Sequence, residues 1–314
     1  MTLPSPPSER RLFGAIEAGG TKFVCAVASG PQHILERAVF PTRNPIQTLD
    51  QVCGFFREAS ARHGALAGLG IGSFGPVDID PASAAYGHIL DTPKPAWSGT
   101  DVLGILEREL GVEAVIDTDV NCALLGEAHF GAGRSIANLV YITIGTGIGA
   151  GIMINRRVVY GASHPEIGHV LVPKHPIDKD FPGNCPFHGD ACIEGLVSGP
   201  AIEARFGVQA SEIPVDHKAW ELIADYIGSL CCNLLLTVAP DRIILGGGVM
   251  QQAHLHPLVR QALGRKLNGY IRPGKNLLPG QAFIVPPELG NRSGIEGALM
   301  LVEQRLLRTE AVKA

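Results

Sequence analysis

The sequence predicts an α/β protein made of two related halves, and three observations lead there. An apolar strand, a glycine turn and a second apolar strand occur as a unit twice, at Ile16–Val24 and Tyr141–Ile154. After each unit, apolar runs of strand length alternate with helical stripes, the order of an α/β domain. Three glycine clusters, Gly19-Gly20, Gly145 to Gly151 and Gly246 to Gly248, each follow an apolar strand. Backbone amides in such turns form a concave donor surface suited to phosphate. Thr21 and Thr146 follow or interrupt the glycines, where a hydroxyl adds a donor to a phosphate oxygen. The halves are expected to meet between Asn121 and Gly131. This gives a smaller α/β lobe over 13–122, completed by a C-terminal helix at about 294–309, and a larger lobe over 123–293.

The elements follow in order. Residues 1–12, beginning MTLPSPPSERR, lack an apolar core of signal-peptide length and read as a disordered leader. Two strands then flank Gly19-Gly20, a tight turn. Thr48 to His63 carries a helical stripe at Leu49, Val52, Phe55, Phe56 and Ala59. Leu66 to Ile71 is a short strand running into GSFGPVD, at a strand end, where open α/β sheets keep their ligands. Ile89 to Gly99 is a proline-interrupted loop, Val102 to Leu110 a helix, Val112 to Asp119 a strand and Val120 to Phe130 a helix. Asp119 therefore stands at a strand-to-helix junction. In the second half, Leu139 to Ile144 is a strand, Pro200 to Phe206 and Trp220 to Thr237 are helices, and Arg242 to Leu245 is a strand. Leu255 to Leu267 is helical, Ile284-Val285 a short strand, and Gly294 to Leu306 the closing helix.

GTGIGA at Gly145–Ala150 formally matches a dinucleotide fingerprint, with Glu166 following it at a suitable distance. That fingerprint needs a helix straight after the glycines, because the pyrophosphate sits on a helix N-terminus. GIMINRRVVYG follows instead, two apolar runs around Asn155-Arg156 that read as a hairpin. A dehydrogenase is therefore excluded, and no Walker pattern is present.

Hydrophobic residues make up 46% and charged residues 18% of the 314, the balance of a globular enzyme rather than a disordered chain. A net charge of −4 offers no basic footprint for nucleic acid. No run is expected to reach the length of a membrane span. Seven cysteines at irregular positions do not form a disulfide framework, so a reducing, cytoplasmic setting is expected.

His164 to Pro200 is the most chemically loaded stretch. His169, Cys185, His188 and Cys192 are the ligand types zinc prefers, and four of them make a closed tetrahedral structural site. Six prolines exclude long helix or central strand here. Such an excursion has little core of its own and needs a staple, which zinc would supply. His169 is the most distant ligand in sequence, and His175 and Asp190 are its substitutes. Buried cysteines acting as small hydrophobes are the competing explanation. Two Cys and one His within CPFHGDAC make it the weaker one.

These residues resemble the ROK family of sugar kinases, within the actin-like ATPase superfamily. The resemblance runs through IEAGGTKFVCAV, GSFGPVDI, DTPKPAW, DTDVNCALLGE, YITIGTGIGAGI, SHPEIGH, CPFHGDACIEGLVSGPAI and IILGGGV, from Phe13 to about Leu301. Glu17, the CPFHG loop and Thr118 look like the bacterial fructokinase branch; glucokinase-type members usually carry Asp, a third cysteine and Asn at these places. The resemblance implies a two-lobed ribonuclease-H-like fold with ATP and a hexose between the lobes. It implies Asp119 as catalytic base, with Asp117 the alternative and a helix N-cap the purely structural reading of Asp119. It assigns Glu166, His169, Glu194, Gly75 and Pro76 to the sugar. Glu17, Gly19, Gly20, Thr21, Lys22, Gly145, Thr146, Gly147, Gly199, Pro200, Gly246, Gly247 and Gly248 go to ATP and magnesium, with Glu17 acting on Mg2+ through water. One ring nitrogen of His169 is then expected on Zn2+ and the other at a sugar hydroxyl, so that the metal loop sets where the substrate binds.

The expected activity is ATP-dependent phosphorylation of D-fructose to D-fructose 6-phosphate by a homodimer, with other hexoses as rival substrates. A sugar-responsive repressor needs a DNA-reading module before the first strand. The twelve residues ahead of Phe13 are too few for one, so no nucleic acid partner and no membrane partner are expected.

Overall fold

A computed structural model describes residues 11–313. The expected leader lies outside the described residues except at its end, where Leu12 is already buried in the first strand and pairs with Leu66. The chain divides into two compact units, Met1–Gly126 with Arg292–Ala314, and Glu127–Asn291.

The first unit contains β1 (Leu12–Ala18), β2 (Lys22–Ala28), β3 (Ile34–Pro41), α1 (Pro45–His63), β4 (Leu66–Ser73), α2 (Val102–Leu110) and β5 (Ala114–Thr118). Helix α3 (Asp119–Phe130) begins here and α8 (Ser293–Lys313) returns to it. The sheet order is β3-β2-β1-β4-β5, antiparallel across β3, β2 and β1 and parallel across β1, β4 and β5.

Both faces of this sheet are covered, which is why β1 and β2 read as nearly unbroken apolar runs. Ile16, Phe23, Phe56, Leu69 and Ile71 pack on the side of α1 and α2. Ala15, Ala26, Ala298 and Leu299 pack on the side of α8. Small residues bring α8 close: a Cβ at Gly70 would lie 1.9 Å from the Ala298 carbonyl oxygen. Helix α1 starts three residues before Thr48, because Pro45 suits a first helical turn and the Asn44 side chain accepts from the Gln47 amide at 2.9 Å.

The second unit repeats the plan. It holds β6 (Leu139–Ile144), β7 (Ile148–Ile154), β8 (Arg157–Val158), α4 (Ile193–Val197), α5 (Gly199–Phe206), α6 (Ala219–Val238), β9 (Arg242–Gly246), α7 (Leu255–Leu267) and β10 (Ile284–Val285). Its order, β10-β9-β6-β7-β8, has the same connectivity and the same strand senses as the first sheet. Asn155 and Arg156 turn β7 into β8 with φ of 51° and 62°, the two left-handed residues of a type I′ hairpin. A strand, not a helix, follows the glycines, and the dinucleotide pattern fails on that ground.

One expectation needs correction. Helix α6 is long and apolar enough to cross a membrane by length and composition, against the expectation that no run reaches that length. Its apolar content has a different cause: Trp220, Ile223, Tyr226, Ile227 and Leu230 are buried against α7, α4 and the sheet.

The proline-rich stretch also holds more internal structure than its composition suggests. Asp178, 6% exposed, accepts two bonds from Arg205 at 2.9 Å each and one from the Tyr226 hydroxyl at 2.8 Å. Arg205 also donates to the Leu196 carbonyl at 2.7 Å and stacks 4.0 Å from the Phe181 ring centre. This buried, fully hydrogen-bonded ion pair ties the loop to α5 and α6 without any metal. The stretch therefore has a fastener that its composition does not show.

Candidate active site and metal cluster

In the first unit the register of the parallel strands gathers the candidate residues. Glu17, Gly72 and Asp117 stand in line across β1, β4 and β5, as do Ala18, Ser73 and Thr118 one residue on. The carboxyl ends of three strands thus share one edge, and the Gly19-Gly20 turn, Gly75-Pro76 and Asp119 all leave from it. Gly72 lacks a side chain there; a Cβ would lie 2.9 Å from the Cys122 sulfur and 3.4 Å from the Asp119 Cα. That closeness lets α3 start directly over the sheet. Burial pushes the Cys122 thiol well up, and the nearby charges of Asp117, Asp119 and Glu17 push it further.

The two aspartates differ in their surroundings. Asp117 is buried, and its Oδ1 accepts from the Thr118 amide and from Asn121 Nδ2, both at 2.7 Å. Asp119 is half-buried and accepts from the Val120 amide at 2.8 Å. The cap bond of α3 comes from Thr118, whose hydroxyl accepts from the Asn121 amide at 3.1 Å. Capping therefore does not account for Asp119.

The β1–β2 turn is closed by the Gly19 amide donating to the Lys22 carbonyl at 2.9 Å and steadied by the Thr42 hydroxyl on the Gly19 carbonyl at 2.7 Å. Gly20, Thr21 and Lys22 are exposed. The Gly75–Pro76 bond is cis, and the Phe74 amide donates to the Ala18 carbonyl at 2.7 Å, joining the ends of β4 and β1. Lys94 was missed by sequence reasoning. Its ammonium donates to the Gly20 carbonyl, and neighbouring Trp97, buried and bonded to the Arg43 carbonyl at 2.7 Å, fixes its loop to the sheet. It lies within DTPKPAW, one of the segments that carry the family resemblance.

Glu17 carries a charge that the fold disfavours: burial raises its carboxyl above the ordinary value, against the opposing pull of Lys22 and Arg37. At pH below the ordinary value, folded and unfolded chains are both protonated and no cost arises. As pH rises through the raised value, the folded state is destabilised relative to a neutral side chain. Glu17→Gln should therefore raise Tm at neutral pH and leave it unchanged in acid, read from thermal unfolding across pH. A Tm that falls at neutral pH would show that Glu17 is held by partners rather than tolerated.

In the second unit the glycine clusters converge. The Gly145 amide donates to the Gly147 carbonyl at 2.9 Å, and the Gly199 amide donates to the Gly145 carbonyl at 2.7 Å. Gly246 lies in register with Thr143, and Gly247, at φ 89°, passes so near β6 that a Cβ would sit 2.4 Å from the Ile144 carbonyl oxygen. Gly145–Gly147, Gly199 and Gly246–Gly248 thus lie side by side, the Gly145 and Gly199 amides being spent on holding the turn.

His169, Cys185, His188 and Cys192 come together, their ligand atoms all within 4.8 Å of one another. His169 Nδ1 is 3.7 Å from the Cys185 sulfur and 3.8 Å from that of Cys192, and His188 Nδ1 is 3.8 Å from Cys185. A tetrahedral zinc with ordinary bond lengths has S–N edges of about 3.6 Å, so the four groups fit it. Both cysteines are buried and His188 is exposed. Burial pushes the Cys192 thiol up to about 11, so a metal entering here must displace a proton. The substitutes are engaged elsewhere: His175 Nδ1 accepts from the Ile177 amide at 3.2 Å, and Asp190 pairs with Lys174.

A carboxylate stands on the far side of the His169 ring. Its Nε2 lies 4.0 Å from a Glu194 oxygen, the carboxylate–imidazole–metal order common around zinc. His169 closes the short turn Ile167–His169, which packs on β7 so closely that a Cβ at Gly168 would lie 2.1 Å from the Ile148 carbonyl oxygen. Glu166 precedes that turn, exposed, with an oxygen 3.4 Å from His164 Nδ1.

Comparison with known proteins bears on the whole chain. Residues 13–305 match the ROK family. A fructokinase of Pediococcus pentosaceus is 43% identical over 94% of this chain and 99% of its own length. A fructokinase of Streptococcus mutans is 42% identical over 94% of this chain and 98% of its own. Among solved structures, a ROK family glucokinase from Streptomyces griseus, in complex with glucose and AMPPNP, superposes with a TM-score of 0.74. It is 25% identical, covering 93% of this chain and 99% of that one.

Proposed function

This chain belongs to the ROK family, and on that footing we propose how its residues share the work of an ATP-dependent fructose kinase. The observation that carries the activity is 42–43% identity to fructokinases along nearly the whole chain. The reaction transfers the γ-phosphoryl group of ATP to the 6-hydroxyl of D-fructose, giving D-fructose 6-phosphate and ADP.

Asp119 takes the hydroxyl proton as the sugar oxygen bonds to phosphorus and the bond to the ADP oxygen breaks. A carboxylate at a helix start, half-buried and not needed as a cap, suits that role. Phosphoryl transfer otherwise demands positioning and charge neutralisation. The amides of Gly20, Gly147, Gly247 and Gly248, with the Thr21 and Thr146 hydroxyls and Lys22, supply donors to the nucleotide, while Gly19, Gly145, Gly199 and Pro200 shape the turns that carry them: the Gly19, Gly145 and Gly199 amides are spent inside the protein and proline has none. Glu17 is an oxygen donor of the kind magnesium takes, acting through water; Mg2+ when bound offsets phosphate charge. Glu166, His169, Glu194, Gly75 and Pro76 hold the sugar, since carboxylates and imidazole pair with vicinal hydroxyls and reject sugars that leave them unpaired.

Zn2+ in the His169–Cys185–His188–Cys192 cluster would be structural: with all four positions filled by protein, none is open to substrate. The chain's own contribution is to fix the His169 ring so that Nε2 faces away from the sulfurs. We place the enzyme in the cytoplasm as a homodimer. The seven unpaired thiols support the first; the mass in solution tests the second.

Identification of the product after incubation with ATP, magnesium and a panel of fructose, mannose, glucose and N-acetylated amino sugars tests the reading. Fructose 6-phosphate is expected as the main product, and a higher kcat/KM for glucose than for fructose would overturn the specificity.

A further inference from the structure

We infer that Glu194 is a positioning residue for the nucleotide as well as a sugar contact, its two carboxylate oxygens joining the two halves of the chemistry. The inference rests on the kinase reading above. Glu194 Oε2 accepts the Ile148 amide at 2.8 Å, and Oε1 faces His169 Nε2 at 4.0 Å. Ile148 is the first residue of β7, directly after the Gly145-Thr146-Gly147 turn. One side chain therefore binds the base of the glycine turn and stands beside the imidazole of the His169–Cys185–His188–Cys192 cluster.

The turn is built to receive it. A Cβ at Gly147 would lie 2.9 Å from Glu194 Oε2, so a side chain there would push the carboxylate off the amide. A second tie comes from the same segment: the Gly199 amide, two residues past α4, holds the Gly145 carbonyl at 2.7 Å. From the opposite side, Gly168 presses on the Ile148 carbonyl. The shape of the turn is thus set by α4 and the metal loop, not by the hairpin alone. Amide donors bind phosphate only when their N–H vectors converge, so releasing Ile148 should loosen the turn before any sugar arrives.

A residue that only touched sugar would leave nucleotide affinity untouched when sugar is absent. That is the discriminating measurement. AMPPNP with magnesium is titrated calorimetrically into wild type, Glu194→Ala, Glu194→Asp and Glu194→Gln without sugar, with metal content and Tm recorded for each. Glu194→Ala and Glu194→Asp, which cannot reach the Ile148 amide, should bind roughly tenfold more weakly, the scale of one charge-assisted hydrogen bond. Glu194→Gln still presents an oxygen to that amide and should stay within about threefold.

In turnover, KM for ATP should rise with Ala and Asp and be rescued by Gln, whatever kcat does. Should Glu194→Ala fail to fold, the Asp and Gln pair carries the same contrast. Nucleotide affinity unchanged in folded, metal-loaded Ala or Asp variants would overturn the inference, and so would an equal loss in all three. A wild type that binds no nucleotide defeats the kinase reading itself; one that binds, with all variants unchanged, defeats this inference alone.

Discussion

Asp119→Asn should lower kcat by about 10³-fold, within the range that a positioned general base contributes, while AMPPNP binding stays near wild type. The substitution keeps the shape of the side chain. Its carbonyl oxygen can still accept the Val120 amide that Asp119 Oδ1 holds at 2.8 Å. What it removes is the capacity to accept the sugar proton. The fold should not suffer, because the α3 cap belongs to Thr118.

The control lies two residues back. Asp117 is buried with Oδ1 accepting two donors at 2.7 Å, so Asp117→Asn turns a charged acceptor into an amide amid fixed donors and should lower Tm. Steady-state kinetics beside a nucleotide titration separates the two residues. Near-normal turnover in Asp119→Asn, with turnover lost in a folded Asp117→Asn, would move the base to Asp117.

Cys185→Ser should release about one zinc per chain and raise KM for fructose, because the His169 ring then loses its anchor. A metal present at a thousandfold over its Kd stabilises the folded state by about 4 kcal/mol, so Tm should fall on the order of 10 °C. The loop should not dissolve, since the Asp178–Arg205–Tyr226 network, at 2.8 to 2.9 Å, holds its middle independently of metal. Elemental analysis, a melting curve and sugar kinetics on one preparation give the readouts. Unchanged zinc content in Cys185→Ser would remove the metal from the account. A loop that becomes fully protease-sensitive would show that the ion pair cannot hold it alone.

Much of this molecule is legible residue by residue. The helix Val102–Leu110, the strands Leu139–Ile144 and Ile284–Val285, and the helix Leu255–Leu267 appear with the bounds their periodicity predicts. Strand β3 and helix α4 escaped notice, each for its own physical reason. Strand β3 is an edge strand alternating half-buried and exposed positions, with Glu36 and Arg37 in its middle, so no apolar run marks it. Helix α4 has five residues, too few for a helical stripe to repeat. Helix α6 reads like a span because burial in a protein core and burial in a bilayer select the same side chains.

Ligand chemistry follows the same division. Cys185, His188 and Cys192 sit within eight residues, and the softness of their donors is enough to point to zinc. Glu194 and Ile148 are 46 residues apart, Lys94 and Gly20 are 74 apart, and nothing in either neighbourhood marks the other.

The two-fold repeat, the glycine turns, the CPFHGDAC cluster and the aspartate at the strand end can all be read from the chain alone, because each depends on residue type and short spacing. Packing was needed to establish that Thr118 rather than Asp119 caps α3, that an ion pair ties the proline-rich loop to α5 and α6, and that one carboxylate accepts the Ile148 amide while standing 4.0 Å from the His169 ring. Those depend on which backbones approach closely enough to exchange hydrogen bonds, a property of elements brought together and not of any single stretch of residues.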